Sequence, residues 1–304
     1  MVIKPTISRR IFMFFNVIFM LLLVIITLYP FLNMLAITFS DGVAVLTGQV
    51  NIIPKNFTLG NYKVVLSSDN IWSSFGVSVA KTLLGTVAQL TVTALAAYAL
   101  SKKNLPGRSA FIMYLYIPSV ISGGMIPSFI VVRSLGLMNS FWVYIIPSLF
   151  GFFNMILLRT YFEGLPHSLE ESARVDGASN MRIFFNIVLP LSKPVLATVS
   201  LYIAVGQWND WFTTALYNFQ NENLWPLQYI LQQILQQSSM AKKLADDMAG
   251  AGYNSAEIEA IQTTITPRSI QYTVLMVATI PIIVVYPLLQ KYFVKGVMVG
   301  AIKS

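Results

Sequence analysis

Six apolar stretches recur along the chain, at about 11–38, 72–100, 109–133, 141–160, 191–216 and 270–293. Each is long enough to cross a bilayer, because about 20 apolar residues in a helix match the hydrocarbon thickness. Polar segments rich in turn formers separate them: Asn51 to Asn61, Asn104 to Arg108, Gly164 to Ser168 and Asn218 to Pro267. The pattern predicts an all-α, polytopic membrane protein with six transmembrane helices and one membrane domain over 1–304, with no internal repeat. It places a long external segment at 218–268 and a short cytoplasmic tail at 294–304. The third stretch holds Pro118, Gly123, Gly124 and Pro127, the fifth begins with Pro190 and Pro194, and the sixth holds Pro281 and Pro287. Broken helices free backbone groups that lipid cannot satisfy. These breaks are either kinks packed against neighbours or the lining of a gated pathway.

Charge sets the direction. With the N-terminus inside, Lys4, Arg9, Arg10, Lys102, Lys103, Arg108, Arg159, Arg174, Arg182, Lys193, Lys291, Lys295 and Lys303 are cytoplasmic. Only Lys55, Lys63, Arg133, Lys242, Lys243 and Arg268 are external. The positive-inside rule then puts both termini in the cytoplasm. The first stretch is too long for the apolar part of a signal peptide and lacks a cleavage site after it, so it reads as a retained span.

Composition agrees and excludes other classes. Hydrophobic residues make up 56% and charged residues 11% of the 304, against about 25% charged in soluble domains. The net charge of +8 does not indicate nucleic acid, since the basic residues lie between apolar runs and form no stripe. There is no cysteine and one histidine, His167, in a polar loop. Disulfides, thiolate metal sites and cysteine nucleophiles are thereby removed, and no catalytic or metal-binding residue is expected. The absence of a Gly-Lys dipeptide removes the phosphate-cradling loop of ATPases.

The segment 161–190 is the most informative. Pro166 stops the preceding helix. Ser168 and Glu171 have the spacing of a capping box, which predicts a short helix from near Leu169. Gly177 can take the left-handed conformation that ends it. Ser179 or Asn180 can cap a second helix through Val188, ended by Pro190. The product is a helix–turn–helix elbow with charges on Glu170, Glu171, Arg174, Asp176 and Arg182, interleaved with Leu169, Ala173, Met181, Ile183 and Phe184. Physically it is either a docking knob or an amphipathic connector lying on the membrane.

Its residues resemble a known motif. Glu171-Ser172-Ala173, three residues, Gly177, nine residues, then Ile187-Val188-Leu189-Pro190 is similar to the EAA motif of ABC importer permeases, with Ser172 in place of the middle alanine. Pro54-Lys55-Asn56-Phe57-Thr58-Leu59-Gly60-Asn61-Tyr62 resembles a segment after the first span of carbohydrate permeases. Trp208-Asn209-Asp210-Trp211 resembles an element of their fifth span. The ending from Gln290 to Lys303 resembles that of MalG-type subunits. The long segment from Asn218 resembles the lipoprotein-like permeases for polysaccharides and complex oligosaccharides of Gram-positive bacteria.

The resemblance implies the type I permease fold of ABC importers in a bacterial cell membrane. It also implies a second homologous permease, two ATPase subunits holding ATP and Mg, an extracellular solute-binding protein and an oligosaccharide substrate. No cofactor is expected on this chain. By the motif, Glu170, Glu171, Ser172, Ala173, Asp176, Gly177, Ile187, Leu189 and Pro190 couple to the ATPases, and Gly296, Gly300 and Lys303 reach between them.

Candidate pathway residues are fewer. Trp208 and Trp211 either stack on sugar rings, with Asn209 and Asp210 bonding hydroxyls, or form an interfacial belt. Lys81 lies well inside the second stretch, where a charge faces a cavity or a partner. It either attracts an acidic sugar or pairs with a charge, and a pairing with the partner permease or a structural role is favoured. A stand-alone transporter or channel would need midplane carboxylates, and Asp210 is the one acid placed within a span. Neither that reading nor a membrane enzyme explains the elbow.

Overall fold

The computed structural model describes residues 6–66, 69–236, 266 and 268–284, and every regular element among them is helical. In chain order they are α1 (Ile7–Thr38), α2 (Gly42–Leu46), α3 (Gly60–Leu66), α4 (Asp69–Ser101), α5 (Arg108–Val120), α6 (Met125–Ser134), α7 (Phe152–Glu163), α8 (His167–Val175), α9 (Asn180–Ile183), α10 (Leu189–Leu191), α11 (Lys193–Asn209) and α12 (Phe212–Tyr217). Residues 227–236 and Arg268–Val284 are also helical.

By length and composition, α1 and Asn70–Ser101 of α4 can each cross a membrane unaided. Three further apolar pairs bend sharply at short breaks. Arg108–Val120 and Met125–Ser134 meet at 113°, Phe141–Ser148 and Phe152–Glu163 at 50°, and Asn180–Leu191 and Lys193–Asn209 at 85°. The third expected stretch thus breaks at Gly123 and Gly124, where Gly124 adopts φ +88°, a region open to glycine. The fifth corrects the expectation of one helix to 216: α11 stops at Asn209 and Asp210 is extended (φ −73°, ψ 110°) before α12. Pro287 and the tail 294–304, with Gly296, Gly300 and Lys303, lie outside the described residues, as does most of 218–268.

Two compact units are distinguished, one of Met1–Asp69 with Gln233–Thr279 and one of Asn70–Gln232 with Ile280–Ser304. In the first, Ala36, Ile37, Ala44, Val45 and Val50 cluster, with Tyr272 against them. The Thr58–Tyr62 segment folds back on the end of α1. Asn61 Nδ2 donates to the carbonyls of Thr38 and Ser40, both at 3.1 Å, Tyr62 OH meets Thr38 Oγ1 at 3.1 Å, and Phe39 stacks on Phe57 at 5.6 Å. Asn61 thereby satisfies the Thr38 carbonyl that the end of α1 leaves open. Most of α1 is exposed on the chain itself, as expected of a helix solvated by lipid.

The second unit is built on an apolar cluster from three long helices and the elbow. Ala94, Ala97, Tyr98 and Leu100 of α4 meet Met155, Leu158 and Phe162 of α7, Val199 and Ile203 of α11, Ile183 of α9, and Phe184 and Val188 between α9 and α10. At Gly85 of α4 the Gln207 amide of α11 lies close, 2.9 Å from where a Cβ would stand.

Candidate functional site

The elbow is a set of helix ends. α8 begins at His167 with Pro166 at its N-cap and no side-chain cap bond. This corrects the expected Ser168–Glu171 capping box: α7 already ends at Glu163 with Gly164 at its C-cap rather than at Pro166, and Pro166 stands at the N-cap of α8, so Ser168 and Glu171 fall inside the first turns. At the other end, Gly177 N donates to Arg174 O at 3.0 Å and Ala178 N to Ala173 O at 2.9 Å, the paired bonds of a Schellman cap. Gly177 has φ +78°. The motif spacing from Ala173 to Gly177 is therefore the distance from the first of the two capped carbonyls to the left-handed residue. Ser179 caps α9, its Oγ accepting from Arg182 N at 3.3 Å.

Pro190 does not end the second helix, contrary to expectation. A π turn over Phe184–Val188 precedes α10, which carries the chain through Pro190 to Leu191. In a regular α-helix the proline ring meets the carbonyl four residues back. That residue is Asn186, inside the wider turn, where this contact is relaxed.

Burial sorts the elbow residues into two groups. Ala173, Ala178, Ile187 and Leu189 pack on the apolar cluster of the second unit. Glu171, Ser172, Asp176, Gly177 and Pro190 are exposed, beside apolar side chains turned outward: Val175 is 88% exposed, Met181 57% and Phe185 54%. Glu170 is half-buried and pairs with Lys102, whose Nζ also lies 4.1 Å from the centre of the Tyr98 ring. Next to it, Glu163 accepts from Arg108 and, at 2.9 Å, from Arg159, while Arg108 Nε bonds Leu100 O at 2.8 Å. These contacts tie α8 and the end of α7 to the link between α4 and α5. Sequence reading picked out Glu170 but missed Lys102, Arg108 and Glu163, whose partners lie 55 and 68 residues away.

A second feature lies at the break in the fifth stretch. Lys81 is fully buried, and its Nζ donates to Asp210 O at 2.6 Å and lies 3.4 Å from Asp210 Oδ2. It also sits 4.8 Å from the centre of the Tyr144 ring. Asp210 Oδ1 accepts from Thr213 N at 3.1 Å, which caps the start of α12. Here the pairing expected of Lys81 falls within its own chain. Asp210 also lines a cavity of about 360 Å³ with Gln89, Tyr144, Asn154, Tyr202, Gln207 and Thr213 among others. Trp208, Asn209 and Trp211 do not line it. Trp208 is 6% exposed and meets Phe75 edge-on at 6.1 Å, Asn209 accepts from Gln228 at 3.3 Å, and Trp211 lies edge-on to Phe212.

Residues 5–299 match the family described as binding-protein-dependent transport system inner membrane component. Among characterised relatives, the polygalacturonan/rhamnogalacturonan transport system permease protein YtcP of Bacillus subtilis (strain 168) is 40% identical over 94% of this chain and 96% of its own. Protein LplC of the same organism is 39% identical over 98% of this chain and 96% of its own. Among solved structures, a chain of a bacterial ABC transporter involved in the import of the acidic polysaccharide alginate superposes with a TM-score of 0.82 at 31% identity, covering 96% of this chain and 100% of that one.

Proposed function

We infer, from the premise that this chain belongs to the binding-protein-dependent transport system inner membrane components, how it works as an oligosaccharide importer's permease subunit. The chain spans the bacterial cell membrane six times with both termini in the cytoplasm. It pairs with a second homologous permease above two ATPase subunits that hold ATP and Mg, and an external solute-binding protein delivers the glycan. No step of ATP hydrolysis belongs to this chain.

The observation that carries this reading is the elbow, exposed on one side and anchored on the other. Its outward face offers Glu171, Asp176, Val175, Met181 and Phe185, a mixture of charge and apolar surface suited to a cleft on another protein. Its inward face is part of the cluster shared by α4, α7 and α11. A push on the elbow is therefore delivered to three long helices together, because packed interiors transmit strain. Closure of the ATPases on ATP moves this body and switches the pathway between inward and outward access. The tail, through Gly296, Gly300 and Lys303, adds contacts between the ATPases.

The test is reconstitution. The purified chain alone in proteoliposomes is expected to move no oligosaccharide with ATP or with an ion gradient. The four-subunit complex with its binding protein is expected to move glycan only with ATP. Uptake by the lone chain would identify a self-sufficient transporter and end this reading.

A further inference from the structure

The cavity beside Asp210 has a lining that nothing above uses. Gln89 lies in the inner part of α4 and Asn154 in the first turn of α7. Both are half-buried and both line the cavity. Neither amide hydrogen-bonds to another described residue, and neither is among the fully buried polar atoms left without a partner, so both open on the cavity. They converge on one point, since a Cβ at Gly151 would stand 3.1 Å from Gln89 Nε2 and 3.2 Å from Asn154 Nδ2. A side chain there would crowd both amides.

Amides that open on a cavity without a protein partner leave their donors and acceptors available to a polar occupant. Each offers two donors and an acceptor, a set that matches vicinal hydroxyls. On α11, Tyr202 is 47% exposed and lines the same space, adding an aromatic ring to the wall. The volume of about 360 Å³ falls at the lower end of ligand sites, roughly 300–1,000 Å³. Among the described residues, the lining includes Asp210 and no Lys or Arg; the Lys81 ammonium is engaged by the Asp210 carbonyl and carboxylate. Asp210 already holds Lys81 as its counter-charge, so a negatively charged group in the cavity would find no free cation to pair with.

We propose that this cavity is a subsite for the uncharged, hydroxyl-bearing part of a transported glycan, with Gln89 and Asn154 binding hydroxyls and Tyr202 covering a ring face. The proposal rests on the transport function inferred above. It differs from the run Trp208–Trp211, of which only Asp210 borders the space. Carboxylates of an acidic glycan are then held elsewhere in the complex.

The experiment uses the complete importer with its binding protein in proteoliposomes, offered short galacturonan, rhamnogalacturonan, arabinan, galactan and maltodextrin fragments. The fragment taken up by the unaltered importer becomes the probe. The double variant Gln89→Ala, Asn154→Ala is expected to lower probe uptake about tenfold at saturating binding protein, the loss of two hydrogen bonds at about threefold each. In this cysteine-free chain, Asn154→Cys is expected to react with a small methanethiosulfonate, more slowly when the probe fragment occupies the importer. Unchanged uptake in the double variant, or labelling of Asn154→Cys that the probe does not slow, overturns the subsite while leaving the transport function standing. If the double variant does not assemble, the labelling result decides alone. No uptake of any fragment by the unaltered importer overturns the transport function itself, and the subsite with it.

Discussion

Lys81 and Asp210 close the break in the fifth apolar stretch from 129 residues away, Nζ to backbone carbonyl at 2.6 Å and to carboxylate at 3.4 Å. The two ends of the pair are unequal. Lys81 is fully buried, whereas the Asp210 side chain is 28% exposed toward the cavity. Removing one partner of a buried pair leaves the other's charge uncompensated, at about 3–5 kcal/mol. Asp210→Ala strands the buried ammonium and also removes the bond to Thr213 N. It is expected to reduce thermal stability of the purified importer sharply. Lys81→Met leaves a carboxylate that keeps Thr213 and some access to water, so its loss is expected to be smaller. The double variant Lys81→Met, Asp210→Asn should recover most of the stability. Equal losses in the two single variants would mean the pair is not what holds the break.

Which of these features could be read from sequence follows from range. The apolar stretches, the elbow and the left-handed Gly177 all rest on residues within a few turns of one another, and local physics settles them. The Schellman bonds even account for the spacing between Ala173 and Gly177. The Lys81–Asp210 pair was not legible, because sequence shows that a buried charge needs a partner but not which one. The same applies to Lys102 with Glu170 and Arg108 with Glu163. Two local expectations failed for local reasons. Pro166 sets the start of α8, so Ser168 has no free helix end to cap. The π turn ahead of Pro190 accommodates a proline that a regular helix would not.

The tie between Lys102 and Glu170 yields a test of force transmission. Both side chains are partly buried, at 25% and 15% exposure, and they join α8 to the link after α4. Lys102→Glu places two carboxylates together and should detach that edge of the elbow. Uptake is expected to fall several-fold while the ATPases remain bound, since the outward face of α8 is untouched. The exchange Lys102→Glu, Glu170→Lys should restore at least half of the uptake. A swap no better than the single variant would show that the pair does not carry the motion.

Topology is accessible to single-cysteine labelling, because the natural chain contains no cysteine. Val175, at 88% exposure on the elbow, and Ile53, at 75% in the segment after α1, are suitable positions. With the N-terminus inside, Val175→Cys is expected to react with an impermeant maleimide only in inverted vesicles, and Ile53→Cys only in intact cells. The opposite pattern would reverse the orientation argued from the Lys and Arg bias.

The sharpest test of the elbow is at Gly177, because its requirement for glycine has one source. No atom lies within 4 Å of where a Cβ would be, and φ is +78°. Space is free and only the backbone conformation objects. A β-branched residue is strained there by about 1–3 kcal/mol, whereas asparagine enters the left-handed region more readily. Gly177→Val should therefore redirect the turn between α8 and α9, and with it Glu171 and Asp176, without disturbing the cluster beneath. The variant is expected to insert and pair with the second permease. It should either lose the ATPases or lose the stimulation of ATP hydrolysis by loaded binding protein. Gly177→Asn should retain most of both, and Gly177→Ala should fall between. This order, asparagine above alanine above valine, follows from φ alone and differs from what crowding would give in placing asparagine above alanine, the smallest of the three. A ranking by size, or normal stimulated hydrolysis in Gly177→Val, would remove the elbow as the element that couples ATP to transport.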